Sequence, residues 1–491
     1  MFEKATPESM GISSKSILNF VKLLDGYRMH THSIFMARGN QVVAECYYAP
    51  FHKDFLHRMY SVSKSFVAMA VGLGATEGLF RMEDPIIGYF PEFRSGEPDV
   101  YQERCTIRDM LCMSSNIGNG MQWWGKFDSR VEAYYTLKTS KVPGGLYFYD
   151  SIGSFLLGCI IEKLTGKTFL DYLKEKVLLE IGFSRESFTL REPGGYTIGD
   201  SGVMCTARDL ALFARFIMNG GAWNGKQYID PAFMEQAVMK QVCNDLDGSF
   251  ASYDTGGYGY LIWKTHPDGF SLVGMGDQLA VCDSKHDFLA VITSDNQANR
   301  AARHLIYHGL YHDLIPSIGD QPLPEDPEAQ ALLETYLAGR KLVYKEGAKH
   351  AAIEEAVSNV RYLAKSNSLG IHWFCLSTED RTLKLEKEGI CYCLPYGLLE
   401  NQLTRFSFGD RPVADMMGKN TQGEYDCAIS AAWVDEKTFS VMAQVIDTYF
   451  GCLNIHICFT GKEATLLFRK SGQYVFEGME GYVIGEREDS R

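Results

Sequence analysis

The strand-like runs of this chain stand far apart, and that spacing limits what it can fold into. Two apolar runs, His32–Ala37 and Val42–Tyr48, are joined by Arg38-Gly39-Asn40-Gln41 and read as a β-hairpin. The next β-rich runs come only after residue 256: Gly259–Thr265, Phe270–Val273, Leu279–Asp283 and Phe288–Ser294. Between the two groups the texture is mostly helical, with Gly/Pro loops, and Gln297–Leu314 returns to helix. The order is hairpin, helix, helical insert, strands, helix. It predicts an α+β domain whose antiparallel sheet is built from both ends of the segment, with helices on its faces.

Local signals fill in this outline. Ser14–Gly26 carries Ile17, Leu18, Val21 and Leu24 at helical spacing and can end at Gly26. Ser61–Gly78 reads as a second helix, stopped before Asp84-Pro85. Ile107–Met113, Ser154–Leu164 and Ala207–Met218 each follow a Ser, Thr or Asp able to cap them. Thr206-Ala-Arg-Asp209 reads as a capping box, so Asp209 is assigned to a helix start and to no chemistry. Pro316, Pro322, Pro324 and Pro327 among acidic residues mark a linker at 315–327, followed by a helix over Glu328–Leu342. The texture then becomes β, in Ile371–Leu376, Thr382–Leu385, Phe439–Asp447, Leu453–Phe459 and Ala464–Phe468. The expected organisation is a first domain over 1–315, a linker and helix over 316–354, and an all-β domain over 355–491.

Composition excludes several classes. The chain has 491 residues, 46% apolar and 22% charged, which is globular rather than disordered. A net charge of −13 argues against a nucleic-acid partner, whose binding rests on phosphate neutralisation. No apolar run approaches the ~18–20 residues of a membrane span, and the N-terminal stretch lacks a secretory h-region. Thirteen scattered cysteines fit reduced thiols, so a cytoplasmic enzyme is expected.

The chemistry concentrates in Met59-Tyr-Ser-Val-Ser-Lys-Ser-Phe66. If a helix begins at or just after Ser61, then Ser61 and Lys64 lie on one face, one turn apart. The Ser61 hydroxyl then sits where backbone N–H groups and the helix dipole favour developing negative charge. A half-buried Lys64 one turn on is suited to take the serine proton. Neither Ser63 nor Ser65 has a lysine three residues on.

With its neighbours this segment resembles the serine β-lactamase and penicillin-binding-protein superfamily, nearest its class C-like, family VIII esterase and 6-aminohexanoate-dimer hydrolase branch. The resemblance covers residues 1–315. It rests on Tyr60–Phe66, Glu83-Asp84-Pro85-Ile86, Tyr89-Phe90-Pro91 and Thr106–Leu111. Met113-Ser114-Ser115, Pro143-Gly144, Tyr147–Ser151, Leu156–Glu162, Asn219-Gly220-Gly221 and Trp223–Lys226 add to it. It implies a β-lactamase-like fold with Ser61 as nucleophile and Lys64 as base. The family's Tyr-x-Asn element stands here as Tyr149-Asp150-Ser151. Tyr149 is implied to shuttle a proton, while Ser151 offers a short hydroxyl in place of an amide.

The third family element, Lys-Thr-Gly or His-x-Gly, is best matched by Gly274-Met275-Gly276, followed by Asp277. Gly276 keeps the strand edge bare. Gly274 replaces the cation, which weighs against β-lactams and free-C-terminal peptides and suits esters or amides without a nearby carboxylate. Met275 is expected to close one wall of the acyl pocket. By position, the Asp277 amide is expected to join the Ser61 amide as oxyanion hole. The Asp277 carboxylate should then point away or select cationic substrates.

The reading that follows is a cofactor-free and metal-free serine hydrolase of a small-molecule or peptide-like ester or amide, acting through an acyl-enzyme. The alternatives are a D-amino-acid peptidase or β-lactamase, and a non-catalytic ligand-binding relative. Homo-oligomer formation stays open. His304, His308 and His312 recur every four residues, and Cys391 and Cys393 alternate on a strand; both sets are assigned to packing or surface rather than to metal. Trp123-Trp124 and Tyr134-Tyr135 lie in the insert, as its core or as pocket lining.

Overall fold

The computed structural model describes residues 2–94, 99–118, 129–192, 194–246, 252–409, 424–473 and 475–488. Trp123-Trp124 lie outside the described residues. The chain divides into two compact units, the first running to Lys341 and the second beginning at Leu342.

The elements of the first unit used below are, in chain order, β1 (Glu3–Lys4), α1 (Ser14–Gly26), β2 (Thr31–Arg38), β3 (Gln41–Tyr47), α2 (Ser63–Thr76), α3 (Arg130–Thr136), α4 (Ser151–Thr165) and α5 (Ala207–Met218). They continue with β4 (Trp263–His266), β5 (Gly269–Gly274), β6 (Gln278–Asp283), β7 (Phe288–Ser294), α6 (Ala302–His308) and α7 (Pro327–Ala338). The strands form one sheet in the order β1-β3-β2-β7-β6-β5-β4, so the N-terminal hairpin and the late strands do join, through β2 and β7. All pairings are antiparallel except β1 with β3, which makes the sheet mixed.

The central strands explain their own sequences. Every residue of β6 and β7 is buried, so these strands read as continuous apolar runs rather than alternating ones. Among the helices on the sheet, α5 packs on β2, β6 and β7. It opens with the Thr206/Asp209 capping box, and the Asp209 carboxylate also accepts from the Ser184 amide and the Ser187 hydroxyl. α2 is buried nearly all round and packs against α4, while Phe66 stacks on Phe213 of α5 with centroids 3.6 Å apart. α7 belongs to the first unit: its Tyr336 hydroxyl donates to Asp25 on α1 at 2.7 Å.

Two expected elements differ. The run Gly259–Thr265 forms a strand only from Trp263, because Leu261 takes φ +54 and Gly259 abuts the Ala237 carbonyl, which breaks the extended path. The helix expected from Gln297 begins at Ala302, since Asn296 and Asn299 turn the chain first.

Among its described residues the second unit is almost entirely β: an eleven-stranded sheet, with one short helix, Glu354–Val357. It curls around aromatic side chains, with Tyr396 against Phe439, Trp433 between Phe439 and Phe459, and Tyr362 against Phe459. No helix among the described residues is long and apolar enough to cross a membrane.

The start of α4 sets the position of Tyr149. Asp150 is its N-cap, with a carboxylate oxygen accepting from the Ile152 amide at 2.9 Å, and Gly166 closes the helix at φ +69. Burial pushes the Asp150 carboxyl up to about 6. Its folded value thus lies above the unfolded value of about 4, so its contribution to stability is full below pH 4 and lost as pH rises through 6.

Two predictions follow from this packing. Phe66→Ala should cost about 3–5 kcal/mol in unfolding experiments, and a loss below about 1 kcal/mol would contradict the stacked packing. Asp150→Asn keeps the capping oxygen and removes the charge. The variant should gain about 2–3 kcal/mol on the wild type as pH rises from 4 to 7 in matched melts, and a constant difference would contradict the burial of a charged carboxylate.

Candidate active site

Ser61 lies in a 3-10 turn, Tyr60–Val62, that leads directly into α2. Tyr60 enters it at φ +45, a strained conformation for an aromatic residue that brings Ser61 to the mouth of the helix. No group among the described residues accepts from the Ser61 amide. Lys64, one turn on, is only 1% exposed, more deeply buried than the sequence suggests. Its Nζ donates to Ser61 Oγ at 3.0 Å and to the Asp200 carbonyl at 2.8 Å.

The third partner is Tyr149, whose ring centroid stands 5.0 Å from Lys64 Nζ. Its ring lies on Trp263, with centroids 5.7 Å apart and planes at 27°, and meets Tyr258 edge-on. Tyr258 in turn packs on Trp263 and Tyr147. The Ser65 hydroxyl donates to the Leu261 carbonyl at 2.8 Å and ties this aromatic wall to α2. Ser151 is the first residue of α4 and half-buried, and its carbonyl accepts from the Ser154 hydroxyl.

Asp200 is held by charge. Its carboxylate accepts from Arg130 on α3 at 2.6 Å, and the Arg130 Nε stands 3.4 Å from Glu192. Burial, together with the nearby Asp200 charge, pushes the Glu192 carboxyl up to about 7, against the pull of Arg130. No sequence signal marks this device, because a backbone carbonyl such as that of Asp200 belongs to no residue type. The aromatic wall had a weak one, the Gly-Gly-Tyr-Gly-Tyr run at 256–260, whose glycines weaken a strand there.

The third element lies where expected, at the end of β5, and explains its own glycine. A Cβ on Gly274 would stand 2.4 Å from the Met59 carbonyl, so the chain leading to Ser61 passes too close for any side chain there. The expectation for the Asp277 amide does not hold. That N–H donates to the Gly274 carbonyl at 3.2 Å and closes the β5–β6 turn. The Asp277 carboxylate points away, onto Arg303 at 2.9 Å.

The turn carries a second amide beside Gly274. Gly274 pairs with Gln278 of β6, whereas Ser271 faces Trp263, where β4 begins. Met275 follows Gly274 as the first residue of that turn and carries the next main-chain amide. Nothing among the described residues accepts from it. Gly276, at φ +75, completes the turn.

The other candidates fall elsewhere. His304, His308 and His312 form a column of rings beside Tyr253. Tyr134 is fully buried and donates to Asn116 at 3.0 Å, while Tyr135 donates to the Ile87 carbonyl, so both serve the core of the insert. Cys391 and Cys393 are exposed on a strand of the second unit.

Comparison with known proteins places this arrangement. The chain is 26% identical over 264 residues to the 6-aminohexanoate-dimer hydrolase of Paenarthrobacter ureafaciens, covering 50% of this chain and 67% of that protein. It is 28% identical over 146 residues to penicillin-binding protein 4* of Bacillus subtilis, covering 28% of this chain but only 31% of that protein. A solved structure named "Putative 6-aminohexanoate-dimer hydrolase from Bacillus anthracis" shares the fold, with a TM-score of 0.53 at 19% identity over 66% of this chain and 88% of that one. Residues 18–311 match the family described as Beta-lactamase, and the chain belongs to that family.

Proposed function

We propose that the protein is a serine hydrolase that cleaves an ester or amide through an acyl-enzyme on Ser61. The observation that carries this reading is the buried Lys64 amine 3.0 Å from Ser61 Oγ, with the Tyr149 ring 5.0 Å away. In this reading Lys64, once deprotonated, takes the proton from Ser61 as its oxygen attacks the carbonyl carbon. Tyr149 then passes the proton to the leaving alcohol or amine as its bond to the carbonyl breaks. Water, deprotonated by the same pair, attacks the acyl carbon, and the pair returns that proton to Ser61 Oγ as its bond to the acyl carbon breaks and the acid leaves. The oxyanion is held by the amides of Ser61 and Met275, each donor being worth about 3–4 kcal/mol in comparable sites. Ser151, at the N-terminus of α4, is positioned to touch the substrate beside Tyr149.

Gly274 narrows the substrate. The cation of the family's third element has no room here, so a substrate carboxylate finds no partner at that position. The aromatic wall of Tyr149, Trp263 and Tyr258 favours an apolar acyl or leaving group. This supports neutral esters or amides over β-lactams and D-amino-acid peptides with a free C-terminus.

A nitrophenyl ester, a D-Ala-D-Ala peptide and nitrocefin assayed side by side test this preference. The ester should turn over fastest, and faster nitrocefin cleavage would overturn the substrate reading. Ser61→Ala should lower kcat by at least about 10³-fold while the melting profile stays unchanged. Retained turnover would remove Ser61 from the mechanism. Gly274→Lys should lower stability without producing nitrocefin hydrolysis, and a stable variant that gained it would show that the Met59 carbonyl is no barrier.

A further inference from the structure

The turn that carries the Met275 amide is bound from beneath by groups the mechanism does not use. Gln278 Nε2 donates to the Met275 carbonyl at 2.9 Å. The Ser294 hydroxyl reaches the Gly276 and Asp277 carbonyls at 2.7 and 3.0 Å, and the Asn296 amide donates to the Gly276 carbonyl at 3.1 Å. All three carbonyls of the 275–277 turn are therefore directed inward.

The side chain of Asp277 adds charge to this anchorage. Asp277 is 5% exposed, and one carboxylate oxygen lies 2.9 Å from Arg303 Nε on α6. The other accepts from Asn296 Nδ2 at 3.2 Å. A second Arg303 nitrogen reaches the buried Asp254 at 3.1 Å. Asp277 sits at φ +67, where glycine would be unstrained. The turn thus holds a strained residue whose carboxylate is committed to a partly buried arginine, three residues from the glycine that touches the Ser61 approach. Strain of this kind persists where surrounding contacts over-determine it.

We infer that Asp277, Arg303 and Asp254 form a charged clamp that holds the Met275 amide toward Ser61, with Asp277 and Arg303 as positioning residues for the oxyanion donor. The inference rests on the proposed acyl transfer at Ser61. A small displacement of a donor in such a site is enough to lower the rate without altering substrate binding.

Asp277→Gly tests it, because glycine keeps the turn conformation and removes only the carboxylate. Its kcat should fall about 10–100-fold with KM within about twofold. Affinity for a boronic acid, whose tetrahedral adduct on Ser61 needs the same donor, should fall in parallel. Arg303→Lys, which can keep one ion pair, should retain more activity than Arg303→Met. The double variant Asp277→Gly/Arg303→Met should lose no more than the worse single variant. Wild-type kcat and boronate affinity in Asp277→Gly, a change confined to KM, or additive losses in the double variant would each overturn the clamp. Labelling of Ser61 by a fluorophosphonate separates the two claims. A labelled wild type with an unchanged Asp277→Gly variant removes the clamp alone, whereas a wild type that takes no label and turns over no ester removes the acyl-transfer reading and the clamp with it.

Discussion

A lysine amine held out of water between a serine hydroxyl and a backbone carbonyl is the constraint on which this structure turns. Removing a cation from solvent costs several kcal/mol, so the groups around it must be fixed before it is buried. Lys64 has Ser61 Oγ on one side, the Asp200 carbonyl on another and the Tyr149 ring nearby. Each is secured by a different part of the first unit. α2 is locked by Phe66 on Phe213, Asp200 by Arg130, and Tyr149 by the Asp150 cap and the Trp263 ring. The helical insert, which interrupts the sheet in sequence, delivers Asp200 and Tyr149 to a helix that starts beside that sheet.

The opposite side of the site is made of backbone. β5 comes so near the chain before Ser61 that only glycine fits at 274, and that contact excludes a side-chain cation. In the proposed acyl transfer, the substrate preference and the main-chain oxyanion donor both trace to this one close packing, which leaves no room for a charged residue at 274.

The sequence showed the fold wherever burial and period agree. The fully buried β7 matches its apolar run, Phe288–Ser294, end to end, and α5 matches Ala207–Met218 with its capping box. Ser61 and Lys64 were visible because one helical turn fixes their relation. What stayed hidden depends on the backbone or on long-range contact. The Asp277 amide looked available by position, but a three-residue turn consumes it. The Asp200 carbonyl has no side-chain signature, and the Asp277–Arg303 pair joins residues 26 apart in sequence, on a turn and a helix. The run at 259–265 looked like a continuous strand because composition does not reveal where a left-handed residue such as Leu261 breaks it.

The most direct test of the central claim is to quench a reaction with an activated ester in acid within milliseconds and map the modified peptide by mass spectrometry. The account predicts one acyl group, carried by the peptide containing Ser61. An acyl group on any other residue, or steady turnover with no covalent intermediate under these conditions, would contradict it.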